Sequence, residues 1–471
     1  MTGTRVPNQQ LRALLAEARW SGEQLARAVN RAGASDGRHF RYDRTAVAHW
    51  LSGSHPAAPV PALVAEVLSR ALGRPVTVAD TRLERPGRRE AAAERAAADR
   101  AAAEPVGELL ARLAEAAVDP RAAGPVYSLA RRLVPAYPAP PGSRLPLPLP
   151  APSAPPESAS GPARSLLTAR VGAAQLRLAQ DLLAVLLAAE ESLGADHCRP
   201  ALTALLATVV ADWLRAPAAP AVRRELLLCT GRLAYLAGFC CFDGQRQGTA
   251  QAYYHLAGEL AAEAADPQLH ATALRGLSVQ AHYLGRRRHA RELADAAGAR
   301  LTLLTHRQQC FVLGQQALGA ADCGDRAAAF GLLGRAQRLL ERTPEPSPGL
   351  ADYHWAAYAH QEAEVLAALG DTEGAIHSLT RSVRERPPGE RRARAVTNAR
   401  LAGLLLDRGR LDRACATWHT VLDDYPLVGS ARLRTAVAAM RTRLHAHPDS
   451  SAVRTLLARA AALAPTGAAG A

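Results

Sequence analysis

The sequence predicts an all-α protein: a small N-terminal helical domain, a Pro-rich linker and a C-terminal α-solenoid. Three observations carry that expectation. The first is a recurring alanine–bulky–small pattern: Ala250-Tyr254-Ala257, Ala290-Ala294-Ala297, Ala329-Leu333-Ala336, Ala375-Leu379-Ser382 and Ala414-Trp418-Val421, with the leading alanines 40, 39, 46 and 39 residues apart. Helix pairs recurring every ~34–47 residues bury their faces only against their neighbours and so stack into a solenoid. The second is composition: alanine, the best helix former, is abundant while aromatics are only 4%. The third is a proline-rich stretch over residues 137–163. Proline lacks the N–H and fixes φ, so this stretch divides the chain as an extended, semi-rigid linker.

The elements follow in order. In residues 1–83 the expected helices are Leu11–Ala18, Ser21–Asn30, Arg44–Leu51 and Pro61–Leu72. Ser21 can cap the N–H of Gln24 while Gln24 returns to the Ser21 backbone, and Trp20 can staple onto Leu25. Asp43 caps the third helix, which turns Val47, Trp50 and Leu51 inward and Arg44, Thr45, Ala48 and His49 outward, and Gly53 ends it. A long link, Arg31–Arg41, joins the second and third helices. Residues 84–136 read as a helical connector: the run 89–104 mixes charges at helical spacing with no wide apolar face, as a solvated bridge or a dimer contact would. Residues 164–465 form the repeat domain, with helices over Leu166–Leu187 and Leu202–Leu214 and then five helix pairs. The breaks within pairs carry Gly244, Gly285, Gly324, Gly370 and Gly409, the residue type that ends a helix in the left-handed conformation. Pro267, Pro344, Pro387 and Pro426 stop the second helices.

The small residue opening each second helix, with a bulky residue four places on, resembles the tetratricopeptide repeat over roughly residues 225–430. Ser382 and Val421 depart from its final alanine, and a period near 40 implies longer helices than the usual ~34-residue repeat. The resemblance implies a concave groove for a protein or peptide partner, faced by Tyr235, Arg275, His282 and His360.

At the N-terminus, SGEQLARAV, TAVAHWLSG and LVAEVLSRALGRPV resemble the Xre-like helix-turn-helix of phage-repressor-type regulators. That resemblance implies double-stranded DNA as partner: Arg44, Thr45 and His49 would meet base edges, and Arg41, Ser52 and Ser54 the phosphates. The long Arg31–Arg41 link departs from the usual tight turn. It could act as a wing that adds Arg38, His39 and Arg41, or it could spoil docking and leave a small domain used for protein contacts. Together the two parts look like Streptomyces-type (actinobacterial) transcriptional regulators of development and antibiotic production, the NsdA-like group. This implies a DNA-binding homodimer, of which several relatives are repressors; a non-DNA-binding scaffold or adaptor is the alternative. The stiff linker would then transmit groove binding to the spacing of two N-terminal domains.

Charge fits either reading. The net charge is +14 and all 57 basic residues are arginine. Residues 1–83 hold 11 Arg against 6 acids, a denser excess than the 36 against 28 of residues 164–471, so a polyanion would gain most at the N-terminus. The absence of lysine reads as the mark of a GC-rich genome. Seven cysteines without a CxxC pair read as buried thiols in a reducing compartment. No signal-peptide pattern or apolar run of about 20 residues is present, so the expectation is a cytoplasmic protein without a membrane partner. No phosphate-loop, dinucleotide, zinc-protease or serine-hydrolase motif occurs, so the reading is a non-enzyme without cofactor or metal.

Overall fold

Helices α1 (Gln9–Glu17), α2 (Gly22–Ser35), α3 (Arg44–Leu51), α4 (Val60–Leu72) and the short α5 (Val78–Thr81) build the N-terminal domain. The computed structural model describes residues 7–35, 40–57, 60–72, 76–83, 106–119, 125–128, 170–343, 350 and 353–463. Local devices start these helices. Asn8 Oδ1 accepts from the Leu11 N–H at 3.0 Å while its Nδ2 donates to the Thr81 carbonyl at 2.8 Å, tying α1 to α5. Ser21 and Gln24 cap reciprocally at 3.2 and 2.7 Å, and Asp43 accepts from the Ala46 N–H at 2.9 Å. Leu11, Leu25, Val29, Val47, Trp50 and Leu68 close the core.

The Arg31–Arg41 link is corrected by the structure. Helix α2 continues through Ser35, so half of the expected loop is helical. The far end is pinned by Asn30, whose side-chain amide donates to the Tyr42 carbonyl at 2.8 Å and accepts the Tyr42 N–H at 3.0 Å. Arg38 and His39 lie outside the described residues, as do the run 89–104 and the Pro-rich linker 137–163.

The connector is corrected as well. Helix α6 (Val106–Val118) buries Val106, Leu110, Leu113 and Ala117 in the same core as the first repeats, so this part of 84–136 belongs to the repeat body. The body continues with α7 (Ala173–Leu193) and α8 (Ala195–Leu205), which runs through one π-helical turn, Leu206–Val210, into α9 (Ala211–Arg215).

Six helix pairs follow, one more than the sequence pattern marks: α10 (Pro220–Asp243) with α11 (Gln247–Glu263), α12 (Pro267–Tyr283) with α13 (Arg287–Gly298), α14 (His306–Asp322) with α15 (Arg326–Leu340), α16 (Trp355–Ala368) with α17 (Thr372–Glu385), α18 (Arg391–Asp407) with α19 (Leu411–Asp424), and α20 (Ala431–Leu444) with α21 (Ser451–Ala462). Among the described residues there is no strand, only an isolated bridge between Val171 and Ala218. This is a tetratricopeptide-like solenoid. Ala250, Ala290, Ala329, Ala375 and Ala414 open the second helices of the first five pairs and are fully buried, which lets the paired helices cross closely. Ser382, in the place of an alanine, donates its hydroxyl to the Ala356 carbonyl at 2.7 Å, so the departure leaves no unpaired polar group.

The turns keep the same register. Gly285, Gly324, Gly370 and Gly409 adopt φ of 74, 80, 86 and 69°. In the first pair the left-handed position is Gln245 at φ 62°, not Gly244 as expected. Six of the seven cysteines are buried and all are free thiols. Helix α10 is long and apolar enough to span a bilayer, but it lies in the core with most of its length buried.

The array curls until its beginning meets its end. Glu190 on α7 pairs with Arg392 on α18; Glu190 is buried and Arg392 largely so. Asp196 pairs with Arg434 on α20 at 2.7 Å, and the Gly429 N–H donates to the Leu193 carbonyl at 2.8 Å. Gly194 and Gly429 approach so closely that a Cβ on the former would lie 2.8 Å from the Gly429 carbonyl oxygen. Removing one partner of a buried ion pair leaves an uncompensated charge and costs about 3–5 kcal/mol. Arg392→Ala is therefore expected to lower unfolding stability by about that amount and to enlarge the radius of gyration measured by small-angle scattering.

Candidate functional site

Three regions bear on function: the outer row of α3, the interior of the curled array, and the contact that joins them. On α3, Val47 and Trp50 are buried, with Trp50 edge-on to Tyr42 at 5.2 Å, while Arg44, Thr45, Ala48 and His49 are exposed. Arg41 is exposed just before the cap. Ser52 donates its hydroxyl to the His49 carbonyl at 2.9 Å, and Ser54, half-buried, donates its N–H to the same oxygen at 2.9 Å. The structure thus leaves Arg41, Arg44, Thr45, His49 and Ser52 exposed and Ser54 half-buried. Neither Arg41 nor Arg44 has a carboxylate partner among the described residues.

The four groove candidates lie on first helices, but the structure divides them. Tyr235 is buried, its ring 5.3 Å from Tyr254. The Arg275 guanidinium sits 3.5 Å from the Phe311 ring centroid, and its Nε donates to the Phe311 carbonyl at 2.9 Å. These two are packing residues, which corrects the groove expectation for them: aromatic stacking and a carbonyl satisfy an arginine that looks like a ligand contact in sequence. His282 contacts Asp322 at 2.5 Å and remains partly exposed. His360 meets the Thr397 hydroxyl at 3.2 Å. Burial, aided by Arg386, Arg432 and Arg400 and opposed by Glu364, holds the His360 imidazole down at about 4.

The N-terminal domain does not hang from a linker. Glu66 on α4 pairs with Arg286, the residue before α13, and both are buried. The Arg286 guanidinium lies 3.7 Å from the centroid of Tyr127. Residues 125–128 run as a strap over α11: the Gln251 amide accepts the Ser128 N–H and donates to the Ser128 carbonyl, both at 3.0 Å. A Cβ at Gly248 would collide with the Pro125 carbonyl. Arg246 donates to the Ala116 carbonyl at 2.9 Å and the Val118 carbonyl at 3.3 Å, capping the C-terminus of α6. The clamp is a contact between the N-terminal domain and the repeats that does not pass through the Pro-rich linker. No periodic pattern marks it, because each member is a single side chain meeting a distant segment. The docked residues lie on α2 and α4, and the α3 row stays exposed.

Residues 11–84 match the family described as the SP15 N-terminal domain, which spans α1–α5. No curated protein matches the chain. Among solved structures, one similar chain is titled the crystal structure of the APC/C hetero-tetramer Cut9-Hcn1, at 16% identity and TM-score 0.31, covering 61% of this chain and 45% of that one. This chain therefore spans less than half of that relative. A likeness of that size says nothing about function, and the solenoid rests on this chain's own helix pairs.

Two outcomes follow from this geometry. Replacing Gly248 with Leu should expel the strap and release the N-terminal domain, read as new cleavage within residues 106–119 or 125–128 in limited proteolysis while the helical content persists. The His360 site works on acid stability. Its folded value of about 4 lies below the unfolded 6.5, so the unfolded chain takes a proton that the fold refuses. The stability is complete above pH 6.5 and is lost as pH falls towards 4. At about 1.4 kcal/mol per unit this amounts to at most about 3 kcal/mol, and urea unfolding of His360→Gln should show a flatter acid limb.

Proposed function

We propose that this protein is a helical-repeat scaffold or adaptor, whose repeat body holds a protein or peptide partner and carries the N-terminal domain as a fixed attachment. The observation that supports it is the solenoid with its clamp: Arg246, Gly248, Gln251 and Arg286 join two units into one body. Stacked helix pairs spend their side chains on packing and offer edges and an interior for binding.

A second reading is favoured by one observation, the exposed row Arg44, Thr45 and His49 on a capped helix. On it the protein is a transcriptional regulator of the actinobacterial type, a repressor of differentiation or secondary metabolism acting as a homodimer on DNA. Purification and gel shift of the full-length chain separate the two. The scaffold reading expects a stoichiometric protein partner and no salt-sensitive retention of promoter DNA. A shift that fades as salt rises, and that Arg44→Ala weakens by about 1–3 kcal/mol, would overturn it in favour of the regulator.

A further inference from the structure

We propose that the interior of the curled array contains a binding site for a small amphiphilic organic anion, between α18 and α20 and beside Tyr283. The cavity there measures about 340 Å³, within the ~300–1,000 Å³ usual for small-molecule sites. Val396, Leu406, Leu433, Ala436 and Met440 make its wall apolar, and the Trp418 indole forms part of it. The wall is flat at Gly403, where a Cβ would meet nothing within 4 Å.

One polar feature says what kind of occupant fits, and Arg432 supplies it. Its guanidinium lies 4.8 Å from the Phe242 ring centroid and 5.1 Å from that of Tyr283, with no carboxylate partner among the described residues. The other arginines on the cavity are neutralised: Arg400 by Glu364 at 2.9 and 3.1 Å, and Arg443 by Asp407 at 2.5 Å. The lining therefore has one surplus positive charge, held in place by two aromatic rings. An apolar body with an anionic head matches this distribution.

The site exists only because the array curls, since Phe242 and Tyr283 come from the first two pairs and Arg432 from the last. It rests on neither the partner nor the DNA reading, and its probes are read on the full chain alone. Anilinonaphthalene sulfonate should bind the folded protein saturably with one site per chain. Decanoate should displace it and decanol should not. Gly403→Leu, at a position where an added Cβ meets nothing within 4 Å, should fill the cavity wall and abolish binding. Arg432→Gln should weaken the sulfonate at least tenfold but leave the neutral N-phenylnaphthylamine unchanged. Absence of saturable binding, equal displacement by decanol, or affinity unmoved by Gly403→Leu would each overturn the proposal. The alcohol comparison uses the unaltered protein, so it stands even where a variant fails to fold.

Discussion

The structure depends on how closely two helices of one repeat can cross. At each crossing in the first five pairs the second helix begins with an alanine that exposes no surface, and its small side chain lets the two helices approach closely. Dispersion falls off steeply with distance, so one larger side chain at the crossing would loosen every contact along both helices. Four places on, a bulky residue fills the space that the small one leaves, with Tyr254, Leu333, Leu379 and Trp418 all buried. The second pair has Ala294 there instead, so the pattern tolerates a smaller filler.

Arginine does the work of joining distant parts. Its planar fork stacks on rings and reaches several carbonyls at once, which a lysine ammonium cannot do. Arg246 closes the end of α6, Arg275 lies on Phe311, Arg286 lies on Tyr127, and Arg392 stacks 4.6 Å from the Phe239 centroid while pairing with Glu190. Burial pushes the Glu190 carboxyl up to about 7 against the pull of Arg392. The closure of the array is thus an electrostatic contact maintained in an apolar setting, where geometry decides whether attraction offsets desolvation.

Closure and clamp together set what the surfaces can do. An open crescent would present its first helices to any long partner, whereas the curled array turns them inward and brings residues from both ends around one interior. The strap and Arg286 hold the N-terminal domain by α2 and α4, so its remaining surface, including the outer row of α3, is presented in a fixed direction.

Local and periodic features were legible in the residues themselves. The caps at Ser21 and Asp43, the buried face of α3, and the alanine register of the first five pairs depend on neighbours within a few positions or on recurrence at a near-constant spacing. The sixth pair lacked the alanine pattern and went unmarked. Within α6, Val106, Leu110, Leu113 and Ala117 already lay at helical spacing, but the charge-rich run before them masked that face. Tertiary structure alone decided the fate of Tyr235 and Arg275 as packing residues, the meeting of Glu190 with Arg392, the seat of the N-terminal domain on Arg286, and the cavity beneath Tyr283. In each case a side chain meets a segment tens to hundreds of positions away. The Glu190–Arg392 closure and the cavity follow from the summed curvature of the stacked pairs, and the other contacts from how neighbouring helices and the N-terminal domain pack; no local pattern of residues encodes either.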